Sequence, residues 1–188
     1  RVTATPAAAS VPQVWLLGSS DYSARLAARL GLPYVFANHF GAPGLERALE
    51  HYRSAYEPSE AHPVPVTMLT MNVVVAETAE EAQRRALPQA RGFARLRSGR
   101  PLLAMETIEA ALAAPDAELD AAAAAVAAQW IVDAPAAAAA RIRTLATTHG
   151  VDEVMLSPSA GSYADEPLDA SPGREATLQL LVEALGTA

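Results

Sequence analysis

Three serines, Ser19, Ser20 and Ser23, follow Gly18 where an apolar run gives way to a helical pattern. Hydroxyls placed in this way suit the binding of an anion. If Ser20 caps a helix that starts at Asp21, its oxygen accepts the N–H of Ser23, and the other first-turn amides keep no intrahelical partner. Those amides and the positive end of the helix dipole favour negative charge, and a phosphate is the natural occupant. A Ser-Ser-Asp turn also serves simply as a helix cap, so the pattern alone leaves both readings open.

The elements that must position the turn are legible around it. Val14 to Leu17 is a continuous apolar run, as expected of a parallel strand covered on both faces. Asp21 to Leu30 has helical spacing, with Leu26, Ala27 and Leu30 on one side, and Gly31 and Pro33 mark its end. Tyr34 to Ala37 returns as a strand. The unit is β-α-β, with a right-handed crossover.

The stretch Val-Trp-Leu-Leu-Gly-Ser-Ser-Asp-Tyr-Ser-Ala-Arg-Leu-Ala-Ala-Arg-Leu-Gly-Leu-Pro-Tyr-Val-Phe-Ala, from Val14 to Ala37, resembles the fifth strand, fifth helix and sixth strand of the luciferase-like flavin monooxygenases. The resemblance implies an α/β fold, the C-terminal half (about strands 5–8) of a (β/α)8 barrel with parallel strands and helices outside. It implies that Ser20 and Ser23 hold the phosphate of FMN, with Gly18 and Ser19 in the turn. F420 is the alternative cofactor in the same fold, and a flavin- or partner-binding subunit without turnover is a third reading. The implied partners are a small-molecule substrate and O2. An N-terminal half-barrel or a second copy is expected to cover the open strand edges. Residues 1–12 look like a linker or the remnant of a preceding segment, 13–188 like the half-barrel, with a lid-like excursion at about 97–130. Family members that use a catalytic histidine carry it in the N-terminal half, so no catalytic residue is assigned here.

Composition bounds the remaining classes. The 188 residues are 51% hydrophobic and carry a formal charge of −7, with no basic block, which argues against nucleic acid. There is no cysteine, and the four histidines lack metal-ligand spacing, so no metal site is expected. No apolar run reaches spanning length, and a cytoplasmic protein without membrane contact is the expectation.

Further candidates come from order along the chain. His39 stands just past a strand's C-terminal end, where barrel enzymes keep their active sites, and could bond a flavin edge or substrate. Leu45 to Tyr56 reads as a helix, and Val66 to Ala76 as a strand that resembles the family's seventh. On that strand Met71 and Asn72 could line the pocket, although a strand methionine is usually core packing. Thr78 and Glu81 have capping-box spacing at the start of a helix that Pro88 and Gly92 should kink or split. The basic run from Arg95 to Arg100 reads as a solvated loop; by the resemblance, Arg97 or Arg100 could pair with the phosphate when a lid closes. Helices are expected over Ile108 to Ala113, Glu118 to Trp130, Ala136 to His149 and Arg174 to Leu185. Asp133 should cap the third of these, and Val154 to Leu156 should form the eighth strand.

Overall fold

All the strand pairings are parallel, as the β-α-β reading requires. The computed structural model describes residues 5–6, 9–10, 12–41, 43–167 and 169–186, so the lead at 1–12 falls largely outside them. The elements run β1 (Leu16–Gly18), α1 (Asp21–Arg29), β2 (Tyr34–Phe36), α2 (Leu45–Ser54), β3 (Thr67–Val75), α3 (Ala79–Ser98), α4 (Ile108–Ala113), α5 (Ala117–Ala127), β4 (Ile131–Asp133), α6 (Pro135–His149), β5 (Glu153–Pro158) and α7 (Pro172–Gly186). A short 3-10 turn, Asn38–Phe40, follows β2.

β3 is the centre of the sheet. Its residues 68–73 pair with β5 along one edge. On the other edge Thr67, Met68 and Leu69 pair with β2, and Val73, Val74 and Val75 pair with β4. β2 in turn pairs with β1. Among the described residues no strand covers the outer edge of β1 or of β5.

Alternation along β3 separates two layers. Leu69, Met71, Val73 and Val75 pack with Ala24 and Ala27 of α1, Leu49 and Tyr52 of α2, Ile142 of α6 and Leu181 of α7. Val74, pointing the other way, joins Ala86, Ala90 and Ala94 of α3, Leu119 and Val126 of α5, and Trp130. The first layer is the helical coat of a barrel wall. The second packs α3 against α5 and Trp130. It is pinned: Arg91, buried on α3, bonds Asp120 at 2.7 Å and the carbonyl of Ala114 at 3.2 Å.

Several elements depart from the sequence reading. β1 is short and offset toward Gly18, and Leu17 is 52% exposed, so an edge strand with one open face replaces the fully covered one. α1 buries Ser23, Ala24, Ala27 and Ala28, while Leu30 lies outside; small side chains let the helix approach the sheet closely. α3 forms one helix across Pro88 and Gly92, its buried alanines holding it against α5. Thr78 caps α3 through the Glu81 N–H at 3.2 Å, but the Glu81 carboxylate goes to Arg84, Arg85 and Tyr163 rather than back to the cap. Ala134, not Asp133, is the residue before α6, and Asp133 accepts the Ala134 N–H at 2.8 Å.

Candidate functional site

β1 delivers the serine turn to the C-terminal end of the parallel strands. Ser20 caps α1: its hydroxyl accepts the Ser23 N–H at 3.3 Å, and Ser23 Oγ reciprocally accepts the Ser20 N–H at 3.3 Å. Ser23 is buried. Its hydroxyl donates to the Ser20 carbonyl at 2.7 Å and lies 3.2 Å from the Tyr34 phenol, which donates to the Gly18 carbonyl at 3.1 Å. Burial raises the Tyr34 pKa, so the phenol stays a donor. Gly18 is required by the same packing, because a Cβ there would collide with the Ser23 side chain.

The turn thus divides into a frame and a face. Ser23, Tyr34 and Gly18 form the frame. Ser20 is exposed and Ser19 half-buried, and among the described residues the Asp21 and Tyr22 N–H groups have no backbone acceptor. The Asp21 carboxylate is drawn aside by Arg47, 3.0 Å away. The face presents amides and hydroxyls, the donor set that an anion needs.

A second polar group gathers midway along β3, beside the ends of β2 and β5. Thr70 and Asn72 leave β3 on the face opposite the helical coat, and both are buried. Thr70 Oγ1 lies 3.1 Å from the Phe36 carbonyl, 2.6 Å from His39 Nδ1 and 3.3 Å from the His39 amide. Asn72 Nδ2 donates to the His39 carbonyl at 2.7 Å, and its Oδ1 accepts from Ser159, 3.3 Å away. The His39 ring lies against Phe40, tilted by 42° with centroids 4.1 Å apart, and burial lowers its pKa below the ordinary value.

The sequence candidates separate accordingly. Gly18, Ser19, Ser20 and Ser23 form one turn, and His39 and Asn72 meet in a second cluster. Arg97 donates to the Phe40 carbonyl at 2.6 Å and so clamps the His39 turn from outside. Arg100 is committed to Asp116 at 3.0 Å and Glu118 at 2.6 Å, at the start of α5. Met71 points into the helical coat rather than toward a pocket. Thr70 and Tyr34 escaped the sequence reading. The available signal was a threonine two places before Asn72, which puts two polar side chains on one face of a largely apolar strand.

Among the described residues no cluster of His, Asp and Glu could hold a metal, and no helix is long and apolar enough to cross a membrane.

Comparison with known proteins places this geometry. A luciferase-like monooxygenase from Escherichia coli K12 is 44% identical over 86 residues, 46% of this chain and 26% of that protein. The crystal structure of apo-MsnO8 superposes on the whole chain with a TM-score of 0.78 and 28% identity, and the match covers 55% of its length. Two more distant structures share the fold. One is the oxygenating constituent of 3,6-diketocamphane monooxygenase from Pseudomonas putida in complex with FMN (TM-score 0.55, 19% identity, 94% of this chain and 48% of that one). The other is the coenzyme F420-dependent tetrahydromethanopterin reductase of Methanopyrus kandleri (0.53, 11%, 92% and 50%). The chain therefore spans about half the length of the barrel proteins it superposes on. The sequence model of the luciferase-like monooxygenases matches residues 1–153, and with the parallel sheet and serine turn already described, the chain belongs to that family.

Proposed function

We propose that the chain supplies the phosphate-binding half of an FMN-dependent monooxygenase that acts on a small organic molecule and O2. The observation that carries this reading is the open first turn of α1, with Ser20 exposed at the cap and the Asp21 and Tyr22 amides unclaimed by the backbone. A phosphate monoester fits that donor set. Ser19 and Ser20 would hold its oxygens, with the amides beside them, while Gly18 and Ser23 fix the shape of the turn. His39 and Asn72 stand toward the flavin ring on this reading. Arg97 supports them through the Phe40 carbonyl, and Arg100 anchors the excursion. When bound, reduced flavin supplies the electrons that activate oxygen; the chain's own residues bind, orient and exclude water.

The likeness to the F420-dependent reductase supports a second reading with the same residues, because a deazaflavin also carries a phosphate. The absorption spectrum of the bound cofactor separates the two. The bare edges of β1 and β5, with Leu17 and Met155 about half exposed, support a barrel completed by an N-terminal half or by a second copy. A cytoplasmic setting belongs to the same proposal.

Ser20→Gly in the full-length protein tests the phosphate site. Glycine keeps most of a helix cap, within a few tenths of a kcal/mol, but removes the hydroxyl. FMN affinity should fall about five- to tenfold with the unfolding midpoint nearly unchanged. Equal FMN affinity in the variant overturns the assignment.

A further inference from the structure

The serine turn has one more free amide than the start of α1 accounts for. Ser20 gives its N–H to Ser23 Oγ, and Asp21 and Tyr22 open the helix. Ser19 lies between β1 and α1, and among the described residues its N–H has no acceptor either. The carbonyl in the same peptide plane sets where that amide points. In a trans peptide the C=O and the following N–H face opposite ways, and the bond between Gly18 and Ser19 is trans. The Gly18 carbonyl faces β2, where it accepts the Ala37 N–H at 3.0 Å and the Tyr34 phenol at 3.1 Å. The Ser19 N–H is therefore turned away from β2, toward the edge of β1 that no strand covers among the described residues.

Tyr34 also reaches the other end of the turn. Its hydroxyl lies 3.2 Å from Ser23 Oγ, which donates to the Ser20 carbonyl at 2.7 Å. Two buried hydroxyls thus bridge the Gly18 and Ser20 carbonyls, one on each side of Ser19. Either hydroxyl can supply the proton between them, and the bridge holds in both cases. By the same peptide geometry, the inward Ser20 carbonyl turns the Asp21 N–H outward. Neighbouring amides directed out of a turn in this way make a concave donor set for an anion. The Tyr34 ring is itself fixed, wholly buried against Tyr52 with centroids 5.4 Å apart.

We propose that Tyr34 is a positioning residue of the phosphate site, aiming the Ser19 and Asp21 amides through the Gly18 carbonyl and Ser23, and that the Ser19 N–H contacts the phosphate directly. This rests on the phosphate reading above, and the tests separate the two. Riboflavin has the flavin ring without the phosphate and is the control. In the full-length protein Tyr34→Phe keeps the packed ring and removes the hydroxyl. FMN affinity should fall about three- to tenfold while riboflavin affinity stays the same. Ser23→Ala breaks the bridge from its other end and should give the same selective loss. The double variant should lose little more than the weaker-binding single one, because both act through one bridge.

Ser19 has its own readout. In amide NMR, FMN but not riboflavin should move the Ser19 N–H resonance downfield, and Tyr34→Phe should shrink that shift. A Ser19 resonance indifferent to FMN overturns the proposal. So do equal losses of FMN and riboflavin in Tyr34→Phe, which would make the hydroxyl a support of the fold alone. Unchanged FMN affinity in Tyr34→Phe, with a loss in Ser20→Gly, overturns it too and leaves the phosphate site standing. If Ser20→Gly is also without effect, the phosphate reading falls and the role of Tyr34 falls with it.

Discussion

The Thr177 hydroxyl accepts the Val75 N–H at 3.1 Å and shares its one proton between the Val75 carbonyl at 3.0 Å and the Gly173 carbonyl at 2.9 Å. Val73 is paired by β5, whose pairing stops at Pro158, and the Ser159 amide takes the Val73 carbonyl. Two residues further along β3, the same edge would be bare, and one side chain from α7 stands in for the missing strand. Thr177→Val keeps the volume but leaves a buried donor and acceptor unsatisfied. We expect a loss of about 2–3 kcal/mol in urea unfolding, with Thr177→Ser much closer to the parent. Equal losses for valine and serine would assign the effect to packing instead.

Gly18 and Ser23 make a second test. A methyl group at Gly18 meets the Ser23 side chain, and the adjacent backbone cannot yield without opening the cap. Gly18→Ala should cost about 1–3 kcal/mol of stability. FMN affinity should fall with it, since the face of the turn moves with its frame. Adding Ser23→Gly, which vacates the space, should recover part of the stability.

Arg91 ties α3 to the segment that carries α4 and α5. It is 2% exposed, and its guanidinium is shared among Asp120, Glu106 and the Ala114 carbonyl. Arg91→Ala strands partly exposed carboxylates rather than fully buried ones, so the cost should be about 2–3 kcal/mol, toward the low side for broken buried pairs. Limited proteolysis reads the location: new cleavage should appear between Arg100 and Trp130, with the sheet intact. Arg91→Lys should fall between, because an ammonium cannot span three partners.

Tyr52 sets a limit at high pH. Burial pushes its phenol from 10.0 up to about 12, and the bond from the Val66 amide offsets this only in part. The folded state holds this proton more tightly than the unfolded chain does. Its contribution is therefore complete below pH 10 and is lost as pH rises from 10 to 12. Urea midpoints measured across that window should fall in the parent and fall less in Tyr52→Phe. An equal decline in both would place the alkaline limit elsewhere.

The serine turn and the parallel wall were readable because their cues are local. A cap, a stop glycine and an apolar run each act within a few residues of one another, and β3 carries enough β-branched side chains to declare itself. The frame behind the turn was not readable, since Tyr34 reaches Ser23 from the next strand and nothing in the spacing announces it. Thr70 was passed over because a threonine suits a buried strand anyway. Pro88 misled for a related reason: local propensity argues for a break, and alanine packing against α5, invisible in the sequence, overrides it. The roles of Arg97 and Arg100 depend on partners 57 residues earlier at Phe40 and up to 18 residues later at Glu118, and charge alone could not distinguish them.

β3 is laced to neighbours along both sides, whereas β1 hangs from β2 by three residue pairs. Amide hydrogens of the central strand should be the last to exchange, and those of the first strand among the earliest. The two halves of the candidate site hang on these unequal supports. Thermal loosening would slacken the serine turn while the contacts of His39 with β3 stay in place, so on the proposed reading a departing cofactor would let go tail first.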